Sequence, residues 1–420
     1  MKKIRIIVAH PGVQHSFRLA KAINQDKRFE LIYITSVYDK EKSLLMNLIK
    51  HLLNRNNVTR ANNRKCKYLS DNQVVQFCEL MGLIRIALAH YDKSQKLFHW
   101  LTCKMANVFG RKVAKYAIKV KADAVISYDT FSRECFRYLK DKAPNMIRIM
   151  DASAANIVFQ KEIFEKDKDI SPDFFEKLYS EVGYTFEEKR QKYYLDEILL
   201  TQYMIAASKF TKESFSRYGL KDDNIYICPY GVNTSDFPYK ERTSNKDKVR
   251  FVFVGGTKQA KGLSYLLNAY IKFLPDQCSL TVVGVNNLPE NLKSKYSERV
   301  NFTGLLLHSE IPELLHNCDV MIFPSLSDGF GLAAIEAMAT GCPVISSKNA
   351  GVSDLIQDGV NGFIIPTQSV NAIYEKMNWF VENKSKIALM GKAASKTAEK
   401  YSWDNYDIAV IKALEGIFKI

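Results

Sequence analysis

The sequence predicts an α/β protein built from two doubly wound domains, and three observations carry that expectation. The chain has 420 residues, too many for one ordinary hydrophobic core. Short apolar runs, as at residues 4–9, 124–128 and 250–254, recur along it in the pattern of strands covered on both faces. Residues 319–347 hold a complete unit of strand, glycine loop, helix and strand, which a right-handed crossover with parallel pairing satisfies.

Within that unit, residues 319–323 form the first strand and Pro324 and Ser325 end it. Asp328-Gly329-Phe330-Gly331 is a glycine-punctuated turn. Strong helix formers follow from Leu332 to Thr340, with Gly341 as the stop, and residues 344–347 are the next strand. The glycines let backbone N–H groups approach a ligand, and the helix N-terminus adds partial positive charge, which suits a diphosphate or a sugar ring. Asp328 and Glu336 flank that anion site. Carboxylates there make sense as acceptors for the vicinal hydroxyls of a sugar and a ribose.

Taken in order, residues 2–9 are a strand rather than the start of a signal peptide, because the apolar run is too short. The loop His10 to His15 holds Gly12 and precedes a helix over residues 16–24. His15 is expected to be a surface or capping histidine, with a cleft-facing hydrogen bond to substrate as its other role. Strands follow at 31–36, 124–128, 147–151 and 205–208. Residues 240–248 are charged and form the linker. The second half opens with a strand into Gly255 and Gly256. Lys258 and Lys261-Gly262 then precede a helix over residues 263–273.

Charge is lopsided. Of the formal +15, residues 1–240 carry +14, and the first 150 residues alone carry +18, so one half attracts anions over a distance. The stretch 41–67, opening at Glu41 and closing on Arg60, Arg64, Lys65 and Lys67, is a basic amphipathic helix and loop suited to an anionic membrane surface. No zinc-finger spacing or aromatic-basic RNA-binding stretch is present, so nucleic acid is not expected as a partner. Eight cysteines are scattered without a C-x-x-C pair, which reads as reduced thiols of a cytoplasmic protein, peripheral on the cytoplasmic face if the membrane contact holds. No run approaches the ~20 apolar residues of a membrane span.

The run Asp328-Gly329-Phe330-Gly331-Leu332-Ala333-Ala334-Ile335-Glu336 resembles the acidic-x7-Glu signature of retaining family 4 glycosyltransferases of the GT-B fold, usually written E-G-F-G-L-x-x-x-E. Asp stands here for the first Glu. The resemblance implies two Rossmann-like domains facing across a cleft: an acceptor-side domain over 1–240, a nucleotide-sugar domain over 241–397, and a helix over 398–420 crossing back to the first. It also implies transfer of a sugar, with retained configuration, from a nucleotide sugar to a glycan or lipid-linked acceptor in cell-surface polysaccharide or glycolipid synthesis. Neither a cofactor nor an obligatory metal is implied.

Several site residues follow by matching position. Gly12 would approach the donor, and Lys261, with Gly255 and Gly256 before it, would meet the diphosphate. Gly256 stands where relatives have Arg, with Lys258 as a substitute. Leu305 would lie at the nucleobase. Asp328 would hold the transferred sugar, Glu336 the ribose, and Gly329, Phe330, Gly331 and Leu332 would offer backbone donors. Asn156 takes the place of a cleft histidine in a segment similar to R-G-S-x-H-I, and an amide can hold a hydroxyl but not move a proton. Because Asp328, Asn156 and Gly256 all depart from the pattern, a non-catalytic GT-B protein binding a nucleotide sugar or a partner enzyme is the alternative. A nucleotide-sugar epimerase is a third reading.

Overall fold

The computed structural model describes residues 2–12, 15–40, 64–92, 94–171, 174, 183–242, 248–256, 258–284, 288 and 290–420. Most of the membrane-surface stretch, residues 41–63, and part of the linker, 243–247, lie outside the described residues.

Strands β1 (Ile4–Ala9), β2 (Phe29–Thr35), β3 (Val74–Gln76), β4 (Ala124–Tyr128), β5 (Ile147–Ala152), β6 (Tyr203–Ala206) and β7 (Ile225–Ile227) form one parallel sheet in the order β3-β2-β1-β4-β5-β6-β7. A second parallel sheet contains β8 (Val249–Val254), β9 (Cys278–Val283), β10 (Val300–Gly304), β11 (Val320–Phe323), β12 (Val344–Ser347) and β13 (Gly362–Ile365), in the order β10-β9-β8-β11-β12-β13. The helices on the first sheet are α1 (Ser16–Gln25), α2 (Glu79–Tyr91), α3 (Lys96–Lys119), α4 (Arg133–Lys142), α5 (Ile157–Ile170), α6 (Glu188–Leu200) and α7 (Lys209–Ser216). Those that follow are α8 (Leu263–Tyr270), α9 (Glu290–Tyr296), α10 (Ile311–His316), α11 (Leu332–Ala339), α12 (Val370–Glu382), α13 (Lys386–Glu399) and α14 (Trp403–Phe418). Among the described residues, no helix is long and apolar enough to cross a membrane.

The strands are largely apolar because helices cover both faces. Ile6, Ile7, Val8 and Ala9 of β1 are fully buried, and each large side chain so buried contributes about 1.5–3 kcal/mol relative to exposure. Helix starts are capped where the sequence supplies an oxygen: Ser208 accepts from the Thr211 N–H, and Ser402 from the Asn405 N–H. Helix α8 stops at Tyr270, short of the expected Phe273. Residues 271–273 tighten into a turn ahead of Pro275, with the Phe273 N–H on the Tyr270 carbonyl.

The two domains share one core. A single buried cluster runs from Ile6 and Val8 through Tyr230, Val232 and Tyr406 to Met321, Phe330 and Met338. Helix α14 returns to the first domain and packs on α1, where the buried Lys21 ammonium lies 2.7 Å from Asp407 and 3.3 Å from Asp404. On its way the chain at Ser402 bridges Val232, and the Val232 N–H donates to the Tyr401 carbonyl at 2.8 Å.

Candidate active site

Each sheet reverses its winding once, between β1 and β4 in the first and between β8 and β11 in the second. Ligands of open α/β sheets bind outside the strand C-termini at such reversals. In the second domain the loops after β8 and β11 meet there. Gly262, at φ +72°, makes that meeting possible, since a Cβ on it would stand 1.9 Å from the Pro324 carbonyl oxygen. The close approach brings Lys261 to Asp328: the ammonium and Oδ2 form an ion pair, and Oδ1 accepts the Phe330 N–H at 3.1 Å. The Lys261 ammonium also sits 5.9 Å from the centre of the Phe323 ring.

Helix α11 starts directly behind this pair. Its N-cap position is Gly331, which has no side chain to cap the first-turn N–H groups, so they point out of the helix end toward the loop. In its second turn, Glu336 reaches the His308 Nε2 at 3.2 Å. Burial pushes the Glu336 carboxyl above its usual range, and His308 partly opposes that. Leu305, at the end of β10, is 74% exposed, available to a flat ligand group.

The first domain holds this loop from the other side. A Cβ on Gly329 would stand 1.8 Å from the Ser153 carbonyl oxygen, so only glycine fits. The Gly329 carbonyl accepts from the hydroxyls of Ser208 at 2.7 Å and Thr211 at 3.2 Å. Phe330 is buried edge-on to Tyr230. A second tie is Asp167, fully buried on α5, whose carboxylate accepts from Gln259 at 2.8 Å, Tyr265 at 2.5 Å and Gln368 at 3.2 Å across the interface.

Other expected site residues are placed differently. Gly12 gives its N–H to the buried His10 Nδ1 at 2.9 Å, so that donor is already engaged. The Gly255 N–H belongs to the sheet, on Val283 at 2.9 Å. It therefore shapes the turn with Gly256, while Lys258 is exposed beside them. Asn156 is the N-cap of α5: its Oδ1 accepts the Val158 N–H at 2.8 Å and its own N–H donates to Ser214 at 2.9 Å. His15 stands at the N-cap position of α1, but its side chain makes no cap hydrogen bond. It is not on the surface: its side chain is 10% exposed, with Nε2 2.9 Å from Asp151 and the Tyr230 hydroxyl 3.1 Å from each ring nitrogen.

Sequence reading passed over several groups at the first sheet's reversal. Asp129 and Asp151 end β4 and β5, and the repeated pattern of an apolar run closing on Asp was the available signal. Burial, then the charges of Glu197 and Asp151, push the Asp129 carboxyl up to about 8. Burial drives His10 down to about 3. Glu197 fastens the loop after β4, accepting from the N–H groups of Thr130, Ser132 and Arg133 and from the Ser132 hydroxyl at 2.8–3.1 Å. Beside that loop is a cavity of about 760 Å³ lined by residues of α2, α3, α6 and the start of α5.

Two parallel α/β domains whose strand C-termini meet across such a loop are the GT-B fold. An Anabaena protein solved in complex with UDP-glucose has the same architecture, with a TM-score of 0.60 at 15% identity over 98% of this chain and 99% of its own. Residues 236–397 match the model of the glycosyl transferases, group 1. An uncharacterized glycosyltransferase of Methanocaldococcus jannaschii is 26% identical over 236 residues, 52% of this chain and 60% of that protein. The chain thus spans less than two thirds of the length of the curated relatives it first matches. A lipopolysaccharide 1,2-N-acetylglucosaminetransferase of Salmonella typhimurium is 24% identical over 75% of this chain and 80% of its own length.

Proposed function

We propose that the chain is a retaining glycosyltransferase that moves a sugar from a nucleoside diphosphate sugar to a glycan or lipid-linked acceptor of a cell-surface polysaccharide or glycolipid. One observation carries the reading. Lys261, Asp328 and the uncapped start of α11 converge at the β8/β11 reversal, where a diphosphate and a sugar's hydroxyls find donors and an acceptor together. The UDP-glucose bound by a protein of the same fold and the lipopolysaccharide transferase among the relatives support the donor and acceptor classes.

On this reading the Lys261 ammonium is handed from Asp328 to the donor diphosphate, and the freed carboxylate accepts from hydroxyls of the transferred sugar. Glu336 takes the ribose diol, and Leu305 packs at the base. As the bond from the anomeric carbon to the diphosphate breaks, negative charge grows on the leaving oxygen, where Lys261 and the α11 N–H groups already point. The acceptor oxygen bonds to the anomeric carbon on the face the diphosphate leaves, and its proton passes to a departing phosphate oxygen. Asn156 holds the start of α5 and the adjoining interface loop in place and carries no proton.

A thermal-shift screen with UDP, GDP and ADP, followed by donor hydrolysis without acceptor, tests this. One nucleotide should raise the melting point, since ligand binding to the native state stabilises it, and its sugar derivatives should be slowly hydrolysed. A chain that none of the three stabilises and that hydrolyses no sugar nucleotide overturns the reading.

A further inference from the structure

The first sheet also reverses, between β1 and β4, and the 760 Å³ cavity lies at that reversal. Thr130 and Phe131 reach it from the loop after β4. Arg85 reaches it from α2, with Nη2 3.5 Å from where a Cβ on Gly12, in the loop after β1, would stand. Ile157 lines it too. The cavity is therefore joined to the donor loop by residues 153–157, since Ser153 packs on Gly329.

Its charge is unbalanced. Arg85 is half-buried and lies over the Phe98 ring at 5.6 Å, and among the described residues it has no carboxylate partner. Burial and the charge of neighbouring Arg64 both push its pKa down. Burial does the same to Arg64. Lys104, Lys189 and Arg190 also line the cavity, with the Lys104 ammonium above the Trp100 ring at 5.0 Å. Glu187 is the lining carboxylate, but it is mostly exposed and lies 4.0 Å from Arg190, a different cation. A guanidinium withdrawn from water with no acceptor is costly, and a bidentate anion removes that cost.

Beside the cavity, large apolar side chains stand in water. Leu80 and Ile84 of α2 and Leu97 and Trp100 of α3 are 69%, 45%, 59% and 58% exposed, and Trp100 lines the cavity as well. Apolar side chains clustered in this way mark a binding surface. Scattered single residues would not.

We propose that this cavity takes a phosphate-bearing head group and that the α2–α3 surface takes the apolar chain attached to it, so that the acceptor is an anionic amphiphile. Arg85 and Lys104 bind the head group, Phe98, Trp100 and Phe131 wall it, and Leu80, Ile84 and Leu97 cover the chain as it leaves. The inference rests on the glycosyltransferase reading and names the acceptor's class.

The full chain is titrated calorimetrically with geranyl diphosphate, inorganic diphosphate and geraniol. UDP, GDP and ADP are present together, so that the nucleotide site is filled whichever base it takes. Geranyl diphosphate should bind at least tenfold tighter than inorganic diphosphate, and geraniol should not bind measurably. Arg85→Gln should weaken geranyl diphosphate at least tenfold while leaving nucleotide affinity within twofold. Lys104→Gln, on an exposed side chain, should act in the same direction and serves if Arg85→Gln lowers the melting point. Equal binding by wild type and both variants overturns the site, and inorganic diphosphate binding as tightly as the geranyl form overturns the apolar half. Loss of nucleotide binding in the wild type would instead sink the glycosyltransferase reading, because that site lies in the other domain.

Discussion

Substituting the two members of the Lys261–Asp328 pair should have opposite effects on nucleotide binding and the same effect on turnover. The pair is partly accessible, Lys261 at 33% and Asp328 at 14%, so its own worth as a salt bridge is modest, about 1 kcal/mol or less. What it does to a bound diphosphate is larger. A carboxylate about 6–8 Å from a diphosphate charge, at an effective dielectric of about 20, repels it by about 2–3 kcal/mol. Asp328→Asn keeps the shape and removes that repulsion while freeing Lys261. Nucleoside diphosphate affinity should therefore rise, by about tenfold after screening, although transfer falls because the sugar loses its acceptor. Lys261→Ala should weaken nucleotide binding and lower kcat/KM by about 30- to 900-fold, the range for one preorganised donor worth about 2–4 kcal/mol. Calorimetry gives the affinities and steady-state transfer gives kcat/KM. If Asp328→Asn weakens nucleotide binding in step with its loss of activity, the charge assignment is wrong.

Other expectations can be checked alongside. On the proposed reading Glu336 holds the ribose as a carboxylate, so donor KM should rise as pH falls through its elevated pKa. Removing the opposing His308 by His308→Ala should move that rise to higher pH in a KM–pH profile. Asp129 titrates near 8 when folded and near 4 when unfolded, so between those values the native state binds the extra proton and stability falls with rising pH, by up to about 1.4 kcal/mol per pH unit. Asp129→Asn should flatten the pH dependence of Tm between pH 5 and 8. Gly329→Ala inserts a carbon 1.8 Å from the Ser153 carbonyl, so it should abolish transfer and lower Tm while leaving far-UV circular dichroism unchanged. Activity in EDTA should match that without it, measured on the same preparation.

The strand, glycine loop and helix around Asp328 were legible because their signals are local. The apolar run, Asp328, the glycines and the helix formers of α11 lie within one stretch of chain, and each residue's chemistry reports its own backbone. The turn that carries Lys261 was legible for the same reason, since a glycine precedes a helix there. What the sequence did not disclose is produced by packing between distant segments. Lys261 and Asp328 are 67 positions apart, and nothing in either segment says that their side chains meet. His15 looked like a capping residue by position, and only the arrival of Asp151 and Tyr230 buries it. Asn156 matched a site position, yet its role as a cap depends on where α5 begins. The excess of cations at the cavity is a matter of which carboxylates, among the described residues, stay away, and a linear string cannot show that.

The touching passages at Val232 and Ser402 bear on how the two halves move. The chain leaves the first domain and re-enters it along one line, like paired leaves on a door. A body fastened by two adjacent covalent straps swings about that line, while rotation around the perpendicular stretches one strap against the other. Any opening between the halves would then follow a single arc, and closure would return Gly329 to its seat against Ser153.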